Sequence, residues 1–298
     1  MNLLHSITAL LQDAPPALAF EISEGGISMA RIAQPAPIQF RPLAEGVLSV
    51  SPLRDNVLRA DELAEAVRGL VPPNGNSRKR RDAIVILPDY CARISVLDFD
   101  QFPSDAAEQM ALVRFRVKKS LPFDVESAAV SYWVQPAGDK RRDVVAVAAP
   151  LETVARYEAP FRAAGLNPGM VTLSAIAALD LVHEPGISVV AKLTGRALTV
   201  MVLRDGALKL VRCLELAQRD LEEVASDLFP TFVFVEDSLG AKADRLLLCG
   251  FGPLFEEARQ QFESGLGTVV EPVRSPLETP GEENAGLLGY LKSIAGKN

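Results

Sequence analysis

The sequence predicts an α/β protein with a duplicated architecture. Three extended segments near the start of the chain are followed by helical segments, and the same order of elements returns after Gly186. Between these two regions, two strands, a helix, two strands and a helix follow one another, which is typical of an α+β unit. Because a repeated order of elements indicates duplication, we expect two similar halves.

The first region begins with a predicted amphipathic helix over residues 3–11, which could dock on its own domain, lie on a membrane surface or face a partner. A turn at Gly25 and Gly26 joins the next two extended runs into a hairpin. Further strands are expected at PIQFRP and GVLSVSP, and a helix begins at Asp61. Residues 72–82 contain four consecutive basic residues and predict an exposed loop, whose charge is either solvated or directed at an acidic partner or anionic lipid.

The middle of the chain predicts strands at AIVILP and ARISVLDF. Asp105 then opens a helix whose apolar residues keep helical spacing until Pro122 ends it, and whose last turns are basic. Strands at VESAAVSYWV and DVVAVAAP follow. A helix closed by Gly165 and kinked at Pro160 completes the α+β unit.

The last region repeats the opening arrangement. Strands are expected at ISVVAKL, ALTVMVL and ALKLVRCLEL, and the pair Asp205 and Gly206 predicts a tight turn between the second and third. A helical region over 218–239, the strand RLLLCG, a helix over 253–263, the strand TVVEPV and a final helix over 286–294 follow.

Length and charge exclude several classes of protein. The 298 residues fit one large domain or two of ordinary size, and 31 basic against 38 acidic residues give a net charge of -7. No apolar stretch reaches the roughly 18 residues that span a bilayer. The start of the chain does not resemble a secretory signal, and the chain is not basic enough for a generic nucleic-acid binder. We therefore expect a cytoplasmic protein that binds no nucleic acid.

Residues for common catalytic chemistry are scarce. Cys91, Cys213 and Cys249 lie far apart and form no CxxC pair, so we expect reduced, buried thiols. The two histidines, His5 and His183, cannot form an HExxH motif. The chain also contains no phosphate loop of the GxxxxGK[ST] type, no GxSxG elbow and no GxGxxG motif. We expect no metal site.

Three stretches resemble the PilM family, the actin-like cytoplasmic components of type IV pilus machines that are related to the cell-division protein FtsA. They are RFRVKKSLPFDVESAAVSYWV (114–134), RRDVVAVAAPLETVARYEAPFRAAGL (141–166) and AGLLGYLKS (285–293). The resemblance implies an actin-like ATPase fold of two ribonuclease-H-like domains with an FtsA-type inserted α+β subdomain. It assigns 1–89 and 151–185 to the first half, 90–150 to the insertion and 186–298 to the second half, whose last helix could return to the first.

The resemblance also implies where a nucleotide would bind. In that family two hairpins and a glycine-rich turn hold the nucleotide between the halves, because glycines let backbone N–H groups approach phosphates and carboxylates hold Mg²⁺. The matching positions are altered here. The first hairpin supplies Glu21, Ser23, Gly25, Gly26 and Ser28, the second supplies Lys192 and Thr194, and the turn supplies Gly250 and Gly252. We therefore expect a degenerate nucleotide site.

Lys192 is the most consequential change, since the family has an acid at this position. Two like charges about 4 Å apart repel by roughly 4 kcal/mol at an effective dielectric of about 20, and Mg²⁺ carries two charges. Lys192 could instead contact a phosphate directly, which would preserve weak binding without metal. We expect ATP and ADP to bind weakly or not at all, and we expect no enzymatic activity.

These expectations predict a non-catalytic scaffold of a type IV pilus or type II secretion-like inner-membrane platform, held at the membrane through its partners. The resemblance implies that the cytoplasmic N-terminus of a PilN-like membrane protein binds in a cleft between the first half and the insertion. The candidate contacts are Arg114, Lys118, Lys119, Leu121 and Phe123, although Leu121 and Phe123 could equally be core residues. An active actin-like ATPase of the same machinery and the cytoplasmic domain of a GspL-like secretion protein are the alternatives.

Overall fold

The structure is a computed structural model that describes residues 16–32, 36–51, 55–73, 80–135 and 141–295. The helix predicted over residues 3–11 lies outside the described residues, as does most of the predicted basic loop. Among the described residues, no helix is long and apolar enough to cross a membrane.

Strands and helices alternate along the described residues. The strands are β1 (Leu18–Ile22), β2 (Gly26–Arg31), β3 (Gln39–Pro42), β4 (Arg81–Leu87), β5 (Arg93–Phe99), β6 (Ala128–Val134), β7 (Arg142–Pro150), β8 (Leu166–Leu173), β9 (Ile187–Thr194), β10 (Ala197–Arg204), β11 (Ala207–Glu215), β12 (Arg245–Cys249) and β13 (Val269–Pro272). The α-helices are α1 (Ala60–Leu70), α2 (Ala106–Val117), α3 (Leu151–Ala163), α4 (Ser174–Ala178), α5 (Leu221–Leu239), α6 (Phe255–Leu266) and α7 (Ala285–Ala295).

Two five-stranded sheets have the same topology. The first has the order β3-β2-β1-β4-β8 and the second the order β11-β10-β9-β12-β13. In the first sheet β1, β2 and β3 form an antiparallel meander, and β4 and β8 run parallel to β1. In the second sheet β9, β10 and β11 form the meander, and β12 and β13 run parallel to β9. The duplicated α/β architecture predicted from the sequence is confirmed.

A third sheet lies between β4 and β8 in the sequence. It is antiparallel, with the order β5-β7-β6, and α2 packs on one of its faces through Val113 and Val117. The Gln135 side chain attaches this sheet to the second half: its Nε2 donates to the carbonyl of Leu208, and its Oε1 accepts from the Leu208 N–H, both at 2.7 Å. The inserted sheet therefore contacts both halves.

The last helix of the chain, α7, packs against the first half. Leu287 and Tyr290 join a buried cluster with Ala19 of β1 and Ala177 of α4. The contact is close because Gly289 has no side chain: an added Cβ would overlap the carbonyl oxygen of Ala177. Helix α7, which follows the last strand of the second half, therefore connects that half to the first.

Some predicted elements are wrong. GVLSVSP does not form a strand, and its described part makes only an isolated bridge between Leu48 and Val57. The helix opened by Asp105 ends at Val117 rather than Leu121, because the chain tightens into a turn in which the N–H and the hydroxyl of Ser120 both donate to the Val117 carbonyl.

The sequence did not predict β8 and α4. Pro168 and Gly169 lie within β8, and the structure tolerates them because β8 is an edge strand whose pairing with β4 shifts register between Ala83 and Ile84.

Candidate functional site

The candidate functional site is the cleft between the two halves. The turn between β1 and β2 (residues 23–25) and the turn between β9 and β10 (residues 195–196) both border it. Both turns follow the carboxyl ends of strands that pair in parallel with a neighbour, which is where ligands bind in open α/β sheets.

Glu21 lies buried in β1. Its carboxylate accepts hydrogen bonds from the backbone N–H groups of Gly286, at 3.2 Å, and Leu287, at 2.7 Å, and from the Ser174 hydroxyl. The first N–H groups of a helix have no partner within it, and a carboxylate is favoured at that end of the helix dipole. Glu21 therefore caps α7. Burial raises the pKa of Glu21, against the opposing effects of Lys192 and these hydrogen bonds.

Lys192 forms a buried ion pair across the cleft. Its Nζ donates to Asp89 Oδ2 at 3.0 Å and to Thr194 Oγ1 at 2.8 Å, and the Lys192 and Asp89 side chains are 1% and 2% exposed. Asp89 also accepts from the hydroxyl of Thr199, at 2.8 Å, and from the N–H of Ala175, at 2.6 Å. Asp89 belongs to the first half and Lys192 to the second, so this pair joins them at their centre.

The pKa of Lys192 reflects these neighbours. Burial lowers the pKa of an amine because water no longer solvates its charged form. The carboxylates of Asp89 and Glu21 outweigh that effect, and the pKa of Lys192 lies above its ordinary value. Lys192 is therefore charged.

Two further carboxylates occupy the turn of the second hairpin. Glu282 accepts a hydrogen bond from the Gly195 N–H at 2.9 Å, and Glu24 accepts one from the Arg196 N–H at 2.8 Å. Glu282 is also paired with Arg219. The positive φ of Gly195 and its lack of a Cβ allow this approach, since an added Cβ would overlap the Glu24 carboxylate.

Glu283 adds a carboxylate beside the first hairpin. A Cβ added to Gly25 would lie 2.8 Å from Glu283 Oε1. Partial burial and then repulsion from Glu282 raise the pKa of Glu283. Glu24, Glu282 and Glu283 thus place three carboxylates at the two turns, which makes the space between the turns unfavourable for the phosphates of a nucleotide.

Most of the other residues predicted to hold a nucleotide contribute to the backbone structure around the cleft. The Ser23 hydroxyl donates to the carbonyl of Gly26 at 3.1 Å and accepts from its N–H at 3.2 Å, which closes the first hairpin. Ser28 is buried and pairs with Glu21 in the β1–β2 register. Gly250 packs so closely that an added Cβ would overlap the Leu193 carbonyl, whereas Gly252 has open space around it.

A groove of about 250 Å³ lies between the first half and the inserted sheet. Pro122 and Phe123 line it from the inserted side, and Asn56, Tyr90 and Arg156 line it from the first half. Pro150 also lines the groove, and the residue after it, Leu151, has a side chain that is 53% exposed. The groove therefore has an apolar side, and Glu152 and Thr153 add polar side chains to its lining, a combination that suits a short peptide.

The other predicted partner-binding residues do not line this groove. Arg114 donates to the carbonyls of Val125, at 2.5 Å, and Ala128, at 3.4 Å, so it holds β6 against α2. Leu121 packs against the core of the inserted sheet. Lys118 and Lys119 are exposed in the turn after α2. Only Phe123 of the five joins the groove lining.

Sequence reasoning missed the residues that complete the cleft, which are Glu24, Asp89, Ser174, Glu282 and Glu283. The sequence does contain a signal for Asp89 and another for Glu282 and Glu283. Asp89 follows β4 by two residues, at the carboxyl end of a parallel strand. Glu283 and Glu282 lie two and three residues before the first residue of the last helix, near the end where the helix dipole favours acidic residues. Within the described ranges, no group of three or more side chains is arranged to hold a metal ion.

Two halves of identical topology, facing each other across this cleft, define the class: the chain has an actin-like ATPase fold. A solved structure of the PilM-PilN type IV pilus biogenesis complex is similar over 95% of this chain and 99% of its own, with a TM-score of 0.75 and 19% identity. A Bacteroides thetaiotaomicron protein with an actin-like ATPase fold and unknown function is similar over 92% of this chain and 94% of its own, with a TM-score of 0.58 and 15% identity.

A third similar structure is the cytoplasmic domain of EpsL, an inner-membrane component of the type II secretion system of Vibrio cholerae. It matches over 94% of both chains, with a TM-score of 0.50 and 12% identity. No protein-family model and no curated protein matches the chain. At identities of 12–19%, the structural similarity shows that these proteins share a fold.

Proposed function

We propose that this protein is a PilM-like, non-catalytic scaffold of a type IV pilus or type II secretion-like platform. It works in the cytoplasm and is held at the inner membrane by its partners. The observation that carries the proposal is the cleft, where the chain's own carboxylates occupy the hairpin turns and a buried ion pair joins the halves. A protein whose halves are held together in this way needs no nucleotide to keep its shape, as a scaffold requires.

The partner is the short cytoplasmic N-terminus of a PilN-like membrane protein, bound in the groove between the first half and the inserted sheet. Such a segment loses conformational entropy on binding, so its affinity depends on a few buried apolar anchors. Phe123 and Pro122 offer an apolar surface for these anchors, while the polar side chains of Glu152 and Thr153, which also line the groove, offer hydrogen-bonding groups to the peptide backbone. Membrane association then follows from the partner.

We expect a synthetic peptide of this kind to bind the full chain, and Phe123→Ala to weaken binding at least tenfold. Loss of a buried aromatic contact at the centre of an interface costs about 2 kcal/mol or more. Isothermal titration calorimetry measures both affinities. Phe115→Ala is the matched control, because Phe115 is 63% exposed on α2 and does not line the groove.

Lys118→Glu and Lys119→Glu together test the predicted electrostatic contribution. Because both lysines are exposed and outside the groove lining, we expect a smaller loss of affinity that disappears at high salt.

Equal affinity of the wild-type chain and Phe123→Ala would place the peptide elsewhere, and the absence of binding by any PilN-like peptide would remove the proposal.

Mg-ATP is not expected to bind. A ligand present at one hundred times its Kd stabilises the folded state by about 2.7 kcal/mol, so a real nucleotide site would raise the melting temperature visibly. We expect the melting temperature to be unchanged by Mg-ATP or Mg-ADP, measured by differential scanning fluorimetry, and hydrolysis to stay at background. A magnesium-dependent rise in melting temperature, or turnover above background, would favour the active ATPase instead.

A further inference from the structure

Helix α5 presents a face with exposed apolar side chains at its centre. Glu222, Ser226, Phe229, Val233 and Glu236 follow one another at alternating spacings of four and three residues, so they share one side of the helix, and all five are exposed. The exposed fraction is 60% for Phe229 and 41% for Val233. We call these five residues the α5 face.

A groove of about 340 Å³ lies beside this face, between α5 and α6. Phe229 and Ser226 line it from α5, and Phe262 and Leu266 line it from α6. Gly265 also lines the groove, and its missing side chain leaves open space there. Because Phe229 belongs to both the α5 face and the groove lining, the two form one continuous surface.

The negative charge of the chain is concentrated on these two helices. Together α5 and α6 contain eight acidic residues and one basic residue, Arg259, which pairs with Glu256 and Glu263. The whole chain has 38 acidic and 31 basic residues, so outside the two helices both kinds number 30. Among the described residues, no basic side chain pairs with Glu222 or Glu236. The α5 face therefore has an apolar centre and uncompensated negative charge at each end.

This distribution of charge indicates which partner fits the α5 face. A second copy of the chain that packed through the same face, parallel or antiparallel, would bring Glu222 and Glu236 against carboxylates of the other copy, and like charges disfavour such a contact. Anionic lipid is repelled for the same reason. A helix with an apolar centre and basic residues near both ends complements the charges as well as the apolar side chains.

We propose that the α5 face is a docking site for a basic amphipathic helix of a partner protein. The apolar side chains of this helix pack on Phe229 and Val233 and enter the groove beside α6, while its basic ends pair with Glu222 and Glu236. These two glutamates lie about 21 Å apart along the helix axis, so the partner helix needs about four turns. The site shares no lining residue with the groove that Phe123 lines, so it serves a different partner.

The probe is a synthetic helical peptide of about four turns, capped at both termini, with leucines along its centre and lysines in its first and last turns. A twin peptide carries glutamates in place of the lysines. Fluorescence anisotropy measures the binding of each labelled peptide to the full chain. We expect saturable binding of the lysine peptide and no binding of the glutamate peptide.

Phe229→Ser is expected to bind the lysine peptide at least tenfold more weakly than the wild type, because it removes the apolar anchor at the centre of the contact. Phe115→Ser is the matched control, since Phe115 is 63% exposed on α2 and should leave the affinity unchanged. Phe123→Ala, which tests the other groove, should also leave it unchanged. Equal affinity of the wild type and folded Phe229→Ser would contradict the docking site, as would the absence of binding by the lysine peptide.

Glu222→Lys/Glu236→Lys tests the charges of the face. We expect this variant to bind the glutamate peptide and to bind the lysine peptide at least tenfold more weakly, with both effects reduced by salt. Glu45→Lys/Glu278→Lys makes the same change of net charge at two exposed glutamates outside α5 and α6, and it should keep the wild-type preference. A reversed preference in this control would show a general effect of net charge and overturn the proposal.

Two further measurements distinguish the other occupants of the α5 face. Circular dichroism first establishes that each variant is folded, and Val233→Ser replaces Phe229→Ser if the latter is not. Sedimentation velocity should show no wild-type dimer that Phe229→Ser dissociates, because such a dimer would assign the face to a second copy. Vesicles containing anionic lipid should not bind the wild type through this face, and binding that Phe229→Ser abolishes would assign it to a membrane instead.

Discussion

Lys192→Met is expected to lower the free energy of unfolding by about 3–5 kcal/mol, because it removes one partner of a buried ion pair. Among the described residues, the change leaves Asp89 with the Thr199 hydroxyl and the Ala175 N–H as donors, and it removes the positive charge of Lys192 that acts on Glu21. Methionine has nearly the same length, so the loss reports the charge rather than a cavity. Urea denaturation followed by circular dichroism measures it.

Lys209→Met is the matched control for this prediction. Lys209 pairs with Asp143 at 2.5 Å, but the two side chains are 25% and 23% exposed, so water solvates the charge that remains. We expect a loss of about 1 kcal/mol or less, as for ion pairs near the surface. A loss below 1 kcal/mol for Lys192→Met would contradict the central role given to the Lys192–Asp89 pair.

The double variant Lys192→Met/Asp89→Asn separates the pair from its surroundings. Because the two groups contact each other, their effects should not add, and the double variant should lose less than the sum of the single variants. Additive losses would mean that each side chain is held mainly by its other neighbours.

The pH dependence of the same variant follows from the pKa of Lys192, which the carboxylates of Asp89 and Glu21 raise against the effect of burial. A group whose pKa is higher in the folded state stabilises the protein fully below its unfolded pKa, about 10.4. This contribution is lost as pH rises through the folded value. The wild-type chain should therefore lose more stability than Lys192→Met above about pH 10.4.

Gly289→Ala is expected to destabilise the protein by about 3 kcal/mol, at the upper end of the usual range for overpacking. The added Cβ would overlap the carbonyl oxygen of Ala177 and lie 2.8 Å from the Cα of Ala178, and backbone atoms cannot rotate away as a side chain can. Helix α7 must therefore move off α4. That movement also weakens the hydrogen bonds that Glu21 makes to the start of α7.

Gly265→Ala is the matched control, because Gly265 lies inside helix α6 and an added Cβ meets nothing within 4 Å. Alanine favours a helix over glycine by roughly 0.5–1 kcal/mol, so this variant should be slightly more stable than the wild type. Opposite signs for the two glycine substitutions, measured by denaturation under the same conditions, identify the contact between α7 and α4 as the cause. Equal effects would contradict it.

Local sequence predicted several elements correctly because their signals act over a few residues. Asp205 and Gly206 adopt the positive φ values, +51° and +78°, that a tight hairpin turn needs. Asp105 caps α2 by accepting hydrogen bonds from the N–H groups of Ala107 and Glu108. The strand GVLSVSP was predicted wrongly because an apolar run near a turn does not show whether a neighbouring strand exists to pair with it.

The sequence by itself determined the two halves and the hairpins, since turn chemistry and hydrophobic periodicity are local. Glu21 and Lys192 were singled out through the resemblance of the chain to the PilM family. The tertiary structure alone decided what these residues contact, because their partners come from distant positions: Asp89 lies 103 residues from Lys192, and Gly286 lies 265 residues from Glu21. The composition of a cleft between two halves depends on how the halves pack, and no local pattern in the chain encodes that packing.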